Sequence, residues 1–184
     1  MKSWKTLSKE TILKTNKFLT VEKHKVELPD GRIILDWQKV ITPDFISVVV
    51  LTSENKFLIM RQFKYAVQEI SLAPVGGYIE PGEIPIDAAK RELMEETGYS
   101  ADEWITLGNY IVDSNRGCGT AYLFLALNAQ KVVEPNNDDL EEQEILFLSR
   151  NELETAITNK EFKVIPWLTN ILLSLRYLDN TISN

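Results

Sequence analysis

Residues 76–99 read GGYIEPGEIPIDAAKRELMEETGY, and the placement of Glu92, Glu95 and Glu96 within them organises the rest of the chain. Pro85 suits a first helical position and Gly98 the residue just past a helix end, so a helix is predicted over residues 85–97. At about 100° per residue, Ile86, Ala89, Leu93 and Thr97 share one stripe that can face a core. The three glutamates fall on a different arc, linked by i,i+3 and i,i+4 spacing. Like charges at those spacings repel by about a few tenths of a kcal/mol per pair. Near a helix C-terminus each anion also opposes the macrodipole by roughly 0.3–1 kcal/mol. Helix spacing alone leaves two readings open. The cluster is a solvated acidic face, or divalent cations sit against it and turn repulsion into coordination by hard oxygen ligands.

The neighbouring residues separate the two. From Gly77 there are five residues to Glu83, seven more to Arg91, and then RELMEETGY. This resembles the signature of the Nudix hydrolases: Gly, five residues, Glu, seven residues, Arg-Glu, an aliphatic residue, any residue, Glu-Glu, any residue, Gly, and an aliphatic residue. The departure is Tyr99, which stands where that pattern prefers an aliphatic side chain. The resemblance implies that a Gly76 carbonyl and the carboxylates of Glu92, Glu95 and Glu96 bind two or three divalent ions, Mg2+ or Mn2+. It also implies that Glu83 and Arg91 brace the loop and helix behind them. The ions would clamp a diphosphate and activate water for in-line attack.

Composition is that of an ordinary globular protein. The chain has 184 residues, 44% hydrophobic and 26% charged, enough for one domain with a sizeable core and a short arm. A net charge of -7 argues against tracking nucleic acid or an anionic membrane, which needs a basic face. One Cys and one His cannot build a tetrahedral Cys/His zinc cage, nor can a lone Cys118 form an internal disulfide. The first residues, MKSWKTLSKETILKTNKFL, carry lysines but no continuous apolar run, so no secretory leader is expected. The longest apolar run, FISVVVL, is too short to span a bilayer. A cytoplasmic soluble protein is expected.

Along the chain, FLTVEKHKVEL and RIILDWQKVI flank a PDG turn and predict a hairpin over residues 18–41. DFISVVVLT and KFLIMRQF flank SENK and predict a second, its first strand buried on both faces. EISLAP reads as a short strand entering the Gly76–Gly77 turn. After the helix, WITLGNYIV, TAYLFLAL and EILFLS read as strands, and NAQKVVEPNNDDLEEQ as a long polar loop. Two helical segments close the chain, the last with Val164, Leu168, Ile171, Leu172, Leu175 and Leu178 in one stripe. Strands inside and helices outside predict an α+β chain. The family resemblance specifies the Nudix fold, an α/β/α sandwich around a mixed β-sheet, with an N-terminal β-hairpin arm over residues 1–44 and the hydrolase domain over 45–184.

Within the family, the N-terminal hairpin, RQFKY, ISLAPVGGYIEPGE and the closing helices resemble the ADP-ribose and ADP-sugar pyrophosphatases. In that branch the arm commonly reaches across a homodimer and its aromatics sandwich the base. The resemblance points to Trp37 and Phe18 for that role, with packing in a hairpin or dimer seam as the alternative for each. It places Arg61 near the phosphates, with a surface ion pair as the alternative. Arg116, in the Gly-containing loop DSNRGCGT, is a candidate for a phosphate or terminal sugar. The step DDLEEQEILFLS resembles the place where the branch carries its catalytic loop glutamate, which aligns with Glu141, Glu142 being one register away. No proline stands between Pro85 and Pro135, whereas ADP-ribose enzymes usually carry one after the box, so another ADP-linked sugar, or a UDP- or GDP-sugar, remains open.

Metal-dependent hydrolysis of nucleoside diphosphate sugars is therefore expected, with ADP-ribose first and AMP and ribose 5-phosphate as products. Two other readings stay open. A nucleoside triphosphate sanitising hydrolase of the same fold would lack the long N-terminal hairpin. A non-catalytic ADP-ribose-sensing module would typically have lost box carboxylates. His24 and Cys118 are expected to be ordinary strand and loop residues, since no base adjoins the thiol.

Overall fold

The structure is a computed structural model that describes residues 1–135 and 142–182. The chain divides into two compact units, Met1–Asp44 with Tyr110–Ala121, and Phe45–Asn109 with Tyr122–Asn184.

In the first unit, β1 (Lys5–Thr15), β2 (Leu19–Glu27) and β3 (Ile33–Ile41) form an antiparallel meander. The β2–β3 hairpin has the expected limits, and His24 pairs with Trp37 across it. Its turn needs Gly31, whose φ of 86° is the left-handed region open to glycine. The sequence reading assigns no element before residue 18, yet β1 fills that stretch. Every residue of β1 is exposed, so it shows no inward apolar alternation from which a strand could be read. The unit is completed by the end of β9 (Glu103–Asp113) and the start of β10 (Gly117–Lys131), where Gly117 pairs with Val40 in parallel.

The second unit is built on β4 (Phe45–Thr52) and β5 (Phe57–Lys64), an antiparallel hairpin. To β4 is added β7 (Val75–Tyr78), and to β5 are added β6 (Glu69–Ala73) and β11 (Gln143–Leu148). Alternation along β4 sends side chains to two cores. Val48 and Val50 pack with Leu58, Met60, Ala88, Ala89 and Leu93, the last three from α1 (Pro85–Thr97). Val49 packs with Ile59, Leu125, Leu153 and Ile171, which brings in α2 (Arg150–Thr158) and α3 (Ile165–Ile182) on the other face. Helices on both faces of the strands make an α/β/α sandwich, and with the parallel β3–β10 pair the chain is a mixed-sheet α+β fold.

Sequence reading ends the strand within NAQKVVEPNNDDLEEQ too early. β10 runs on to Lys131, pairing Gln130 and Lys131 with the two-residue strand β8 (Tyr99–Ser100). Val132 and Val133 then donate to the Gly98 carbonyl at 2.9 and 3.1 Å. Polar side chains mask this extension because only Ala129 among its last residues is buried. Among the described residues, no helix is long and apolar enough to cross a membrane.

Candidate active site

α1 is placed by its ends. Pro85 opens it, and Gly98 closes it with φ 73°, donating its N–H to Met94 O at 2.9 Å. Ala88, Ala89, Leu93 and Thr97 are buried, which turns the arc bearing Arg91, Glu92, Glu95 and Glu96 away from the core. Beside this arc lies β7, paired with β4 so that Gly77 stands opposite Ile46 and Gly76 opposite Ser47.

The two glycines do different things here. A Cβ on Gly77 would overlap the carboxylate of Glu92, so the absence of that atom is what lets Glu92 lie against the strand. A Cβ on Gly76 would sit 3.0 Å from the Ile46 carbonyl, so close pairing with β4 leaves it little room. The Gly76 N–H donates to Glu96 Oε2 at 3.2 Å, tying the third glutamate to β7, a paired strand where the sequence reading expects a Gly76–Gly77 turn.

Arg91 joins the rest. Its Nε and Nη2 donate to the two oxygens of Glu83 at 2.9 and 3.0 Å. Its Nη1 donates to Glu92 at 2.8 Å and to Glu95 at 3.1 Å, and Nη2 also reaches the Tyr78 carbonyl at 3.2 Å. Glu83 receives the Glu80 N–H at 2.9 Å as well. The Arg91 hydrogen bonds, then that N–H, hold the Glu83 carboxyl below the ordinary glutamate range. Glu83 in turn raises the Arg91 guanidinium further, with help from Glu92 and Glu95. Glu83 and Glu92 are mostly buried, whereas the Glu95 side chain is 53% exposed and faces outward.

The donor set suits a hard divalent ion. Glu92, Glu95 and Glu96 offer carboxylate oxygens beside strand β7, in which Gly77 leaves room for one of them. Among the described residues no three such groups already form a cage. Arg91 occupies oxygens of Glu92 and Glu95, and an arriving cation would compete with it for them.

The other candidates are spread more widely. In the second unit, Arg61 is ion-paired with Glu144, its partner across β5 and β11. Glu141 lies outside the described residues. In the first unit, Trp37 and Arg116 come together around a cavity of about 580 Å³. The Arg116 guanidinium lies 5.2 Å from the Trp37 ring centroid, and the indole N–H of Trp37 donates to the Asn115 carbonyl at 3.1 Å. Asp113 accepts the backbone N–H groups of Arg116 and Asn115, which hold its carboxyl below the usual range and shape the loop. Phe18 sits in the β1–β2 turn, beneath the Lys17 ammonium, outside the lining of this cavity.

Trp4 and Lys39 also line the cavity, as does His24, which the sequence reading expects to be an ordinary strand residue. Trp4 meets Trp37 edge-on at 5.2 Å, and His24 pairs with Glu22 at 2.8 Å. The hairpin register, which sets His24 opposite Trp37, was the available signal for one of them. Trp4 is brought in by β1, whose pairing the pattern did not reveal.

A glutamate-rich helix tail is thus ordered by one arginine beside the glycine-bearing strand β7. The chain belongs to the Nudix family: the NUDIX domain model matches residues 42–168. A model described as nucleoside diphosphate sugar hydrolase N-terminal domain matches residues 4–38. The chain is 29% identical over 153 residues to the ADP-ribose pyrophosphatase of Bacillus subtilis, covering 83% of this chain and 80% of that protein. It is 28% identical over 153 residues to the methanol dehydrogenase activator of Bacillus methanolicus, with the same coverage. Among solved structures it is similar to an ADP compounds hydrolase, with a TM-score of 0.85 and 17% identity over 98% of this chain and 97% of that one. The protein is a Nudix pyrophosphohydrolase, and enzymes of this family need divalent metal ions.

Proposed function

We propose that this enzyme hydrolyses the pyrophosphate bond of nucleoside diphosphate sugars, with ADP-ribose as the preferred substrate and AMP and ribose 5-phosphate as products. The observation that carries the reading is an intact box joined to an N-terminal segment that matches the nucleoside diphosphate sugar hydrolase model over residues 4–38. The ADP-ribose pyrophosphatase of Bacillus subtilis, similar over most of both chains, supports the choice of substrate.

In this reading Glu92, Glu95, Glu96 and the Gly76 carbonyl hold two or three Mg2+ or Mn2+ ions. Bound ions of this kind neutralise diphosphate charge and supply Lewis acidity at phosphorus. Glu83 and Arg91 set the direction of Glu92 and Glu95. Glu141 orients the attacking water and takes its proton. Trp37 and Phe18 contact the base, Arg61 the phosphates, and Arg116 a phosphate or the terminal sugar. The arm, residues 1–44, contacts a second copy in a homodimer, and residues 45–184 form the hydrolase domain. The enzyme acts in the cytoplasm.

The test is a panel of ADP-, UDP- and GDP-sugars with Mg2+, read by product release. ADP-ribose should give AMP fastest. Glu96→Gln should reduce turnover by orders of magnitude while circular dichroism stays unchanged. Faster cleavage of a UDP- or GDP-sugar would move the substrate within the class. Preference for nucleoside triphosphates would favour a sanitising hydrolase, and binding without turnover a sensing module.

A further inference from the structure

α3 is apolar on its inward side except at Asn170 and Ser174, both fully buried. The Asn170 amide has a defined orientation, because its Nδ2 faces two carbonyls that can only accept. It donates to Ser47 O at 2.8 Å, to Ser47 Oγ at 3.0 Å and to Phe124 O at 3.3 Å. Turning the nitrogen this way leaves Asn170 Oδ1 buried with no hydrogen-bond partner among the described residues, and Ser174 Oγ is in the same state. An apolar residue in this position would avoid an orphaned acceptor. Packing therefore does not account for an asparagine here.

What the amide holds is β4 at the point where β4 pairs with β7. Ser47, itself fully buried, is the register partner of Gly76. A Cβ on Gly76 would come within 3.0 Å of the Ile46 carbonyl and 4.0 Å of the Ser47 Cα, so β4 and β7 meet backbone to backbone with no side chain between. A shift of β4 at Ser47 is thus passed directly to Gly76, whose N–H donates to Glu96. We infer that Asn170 is a positioning residue for the cation site, acting through Ser47 and Gly76 on Glu96.

The inference rests on the cation-binding role proposed above for Glu96 and Gly76, and its test separates the two. Mn2+ binding is measured without substrate, by electron paramagnetic resonance of the free ion, on wild type, E96Q, N170L and S174A. Leucine has nearly the shape of asparagine and donates nothing. N170L should melt cooperatively yet bind Mn2+ about tenfold more weakly, the usual consequence of losing a partner that orients a metal ligand. S174A, which alters the same buried polar pair without touching Ser47, should bind as wild type does. If N170L does not melt cooperatively, N170S takes its place in the comparison. Wild-type affinity in the asparagine variant, or an equal loss in S174A, overturns the positioning role. Wild-type binding that E96Q leaves unchanged overturns the cation-site reading itself.

Discussion

Arg91 grips Glu83 with two parallel hydrogen bonds, Nε to one oxygen at 2.9 Å and Nη2 to the other at 3.0 Å, across eight residues of sequence. The remaining nitrogen, Nη1, is thereby aimed at Glu92 and Glu95. A guanidinium does this because its fork is planar and rigid, and its charge is never lost. Glu83 sits before α1 and Arg91 within it, so the pair also fixes the loop that enters the helix.

Lysine cannot replace that geometry. Arg91→Lys keeps the charge but can hold Glu83 at one point only, leaving Glu92 and Glu95 to repel each other. We expect a loss of roughly 1–3 kcal/mol in unfolding free energy, the scale of a hydrogen bond to a charged group. Turnover should fall more steeply than stability accounts for, because Glu92 loses its direction. Urea unfolding and steady-state kinetics on the same preparation check this, and a lysine variant with wild-type turnover would refute it.

The same pair predicts an acid dependence. The folded state holds Glu83 below its ordinary value of 4.5, first through the Arg91 hydrogen bonds. A depressed carboxyl stabilises the fold fully above the ordinary value, and that contribution disappears as pH falls through the depressed one. Wild type should therefore lose stability below about pH 4.5 faster than Glu83→Gln. The stability gap between them should be widest near neutrality and close in acid. A gap that stays constant from neutral pH to pH 3 would show that the charge of Glu83 contributes nothing.

Two glycines of the box should respond oppositely to a methyl group. Gly77→Ala meets only the far end of the Glu92 side chain, which can swing aside, so the fold should survive while turnover drops sharply. Gly98→Ala meets the Val133 carbonyl at a φ of 73°, where backbone rather than side chain must move. The left-handed conformation alone costs an L-residue about 1–2 kcal/mol, so G98A should lower the melting temperature. Thermal melts beside activity measurements separate the two. An inactive but fully stable G98A, or a G77A with normal turnover, would contradict the assignment.

The pattern in the chain made some of this visible and hid the rest for identifiable reasons. α1 was readable because Pro85 and Gly98 punctuate it and its apolar stripe has a single period. The β2–β3 and β4–β5 hairpins were readable from their turns. β1 was not, because a strand exposed along its whole length carries no inward alternation. The three glutamates could be placed on one arc, but that Arg91 would reach two of them and Glu83 at once is a property of side-chain direction, which spacing does not report. Trp4 and His24 reach the cavity through strand pairing between distant residues, and pairing register is the part of a fold that local pattern carries least.

The last prediction concerns that cavity. Trp37 is held there by its indole hydrogen bond to Asn115, by the edge of Trp4 and by the Arg116 guanidinium over its ring. If this ring takes the base, stacking on it acts on bound substrate and transition state alike, because the base lies far from the reacting phosphorus. Losing it should then raise KM and leave kcat nearly unchanged. Base–aromatic stacking is worth about 1–3 kcal/mol, so Trp37→Ala should raise KM for ADP-ribose roughly tenfold or more. Trp37→Phe keeps a stacking face but loses the hydrogen bond to Asn115, and should fall between the two. Trp4→Ala removes only the edge contact and should shift KM less than Trp37→Ala does. A Trp37→Ala enzyme with unchanged KM and a lowered melting temperature would assign the ring to packing within the arm.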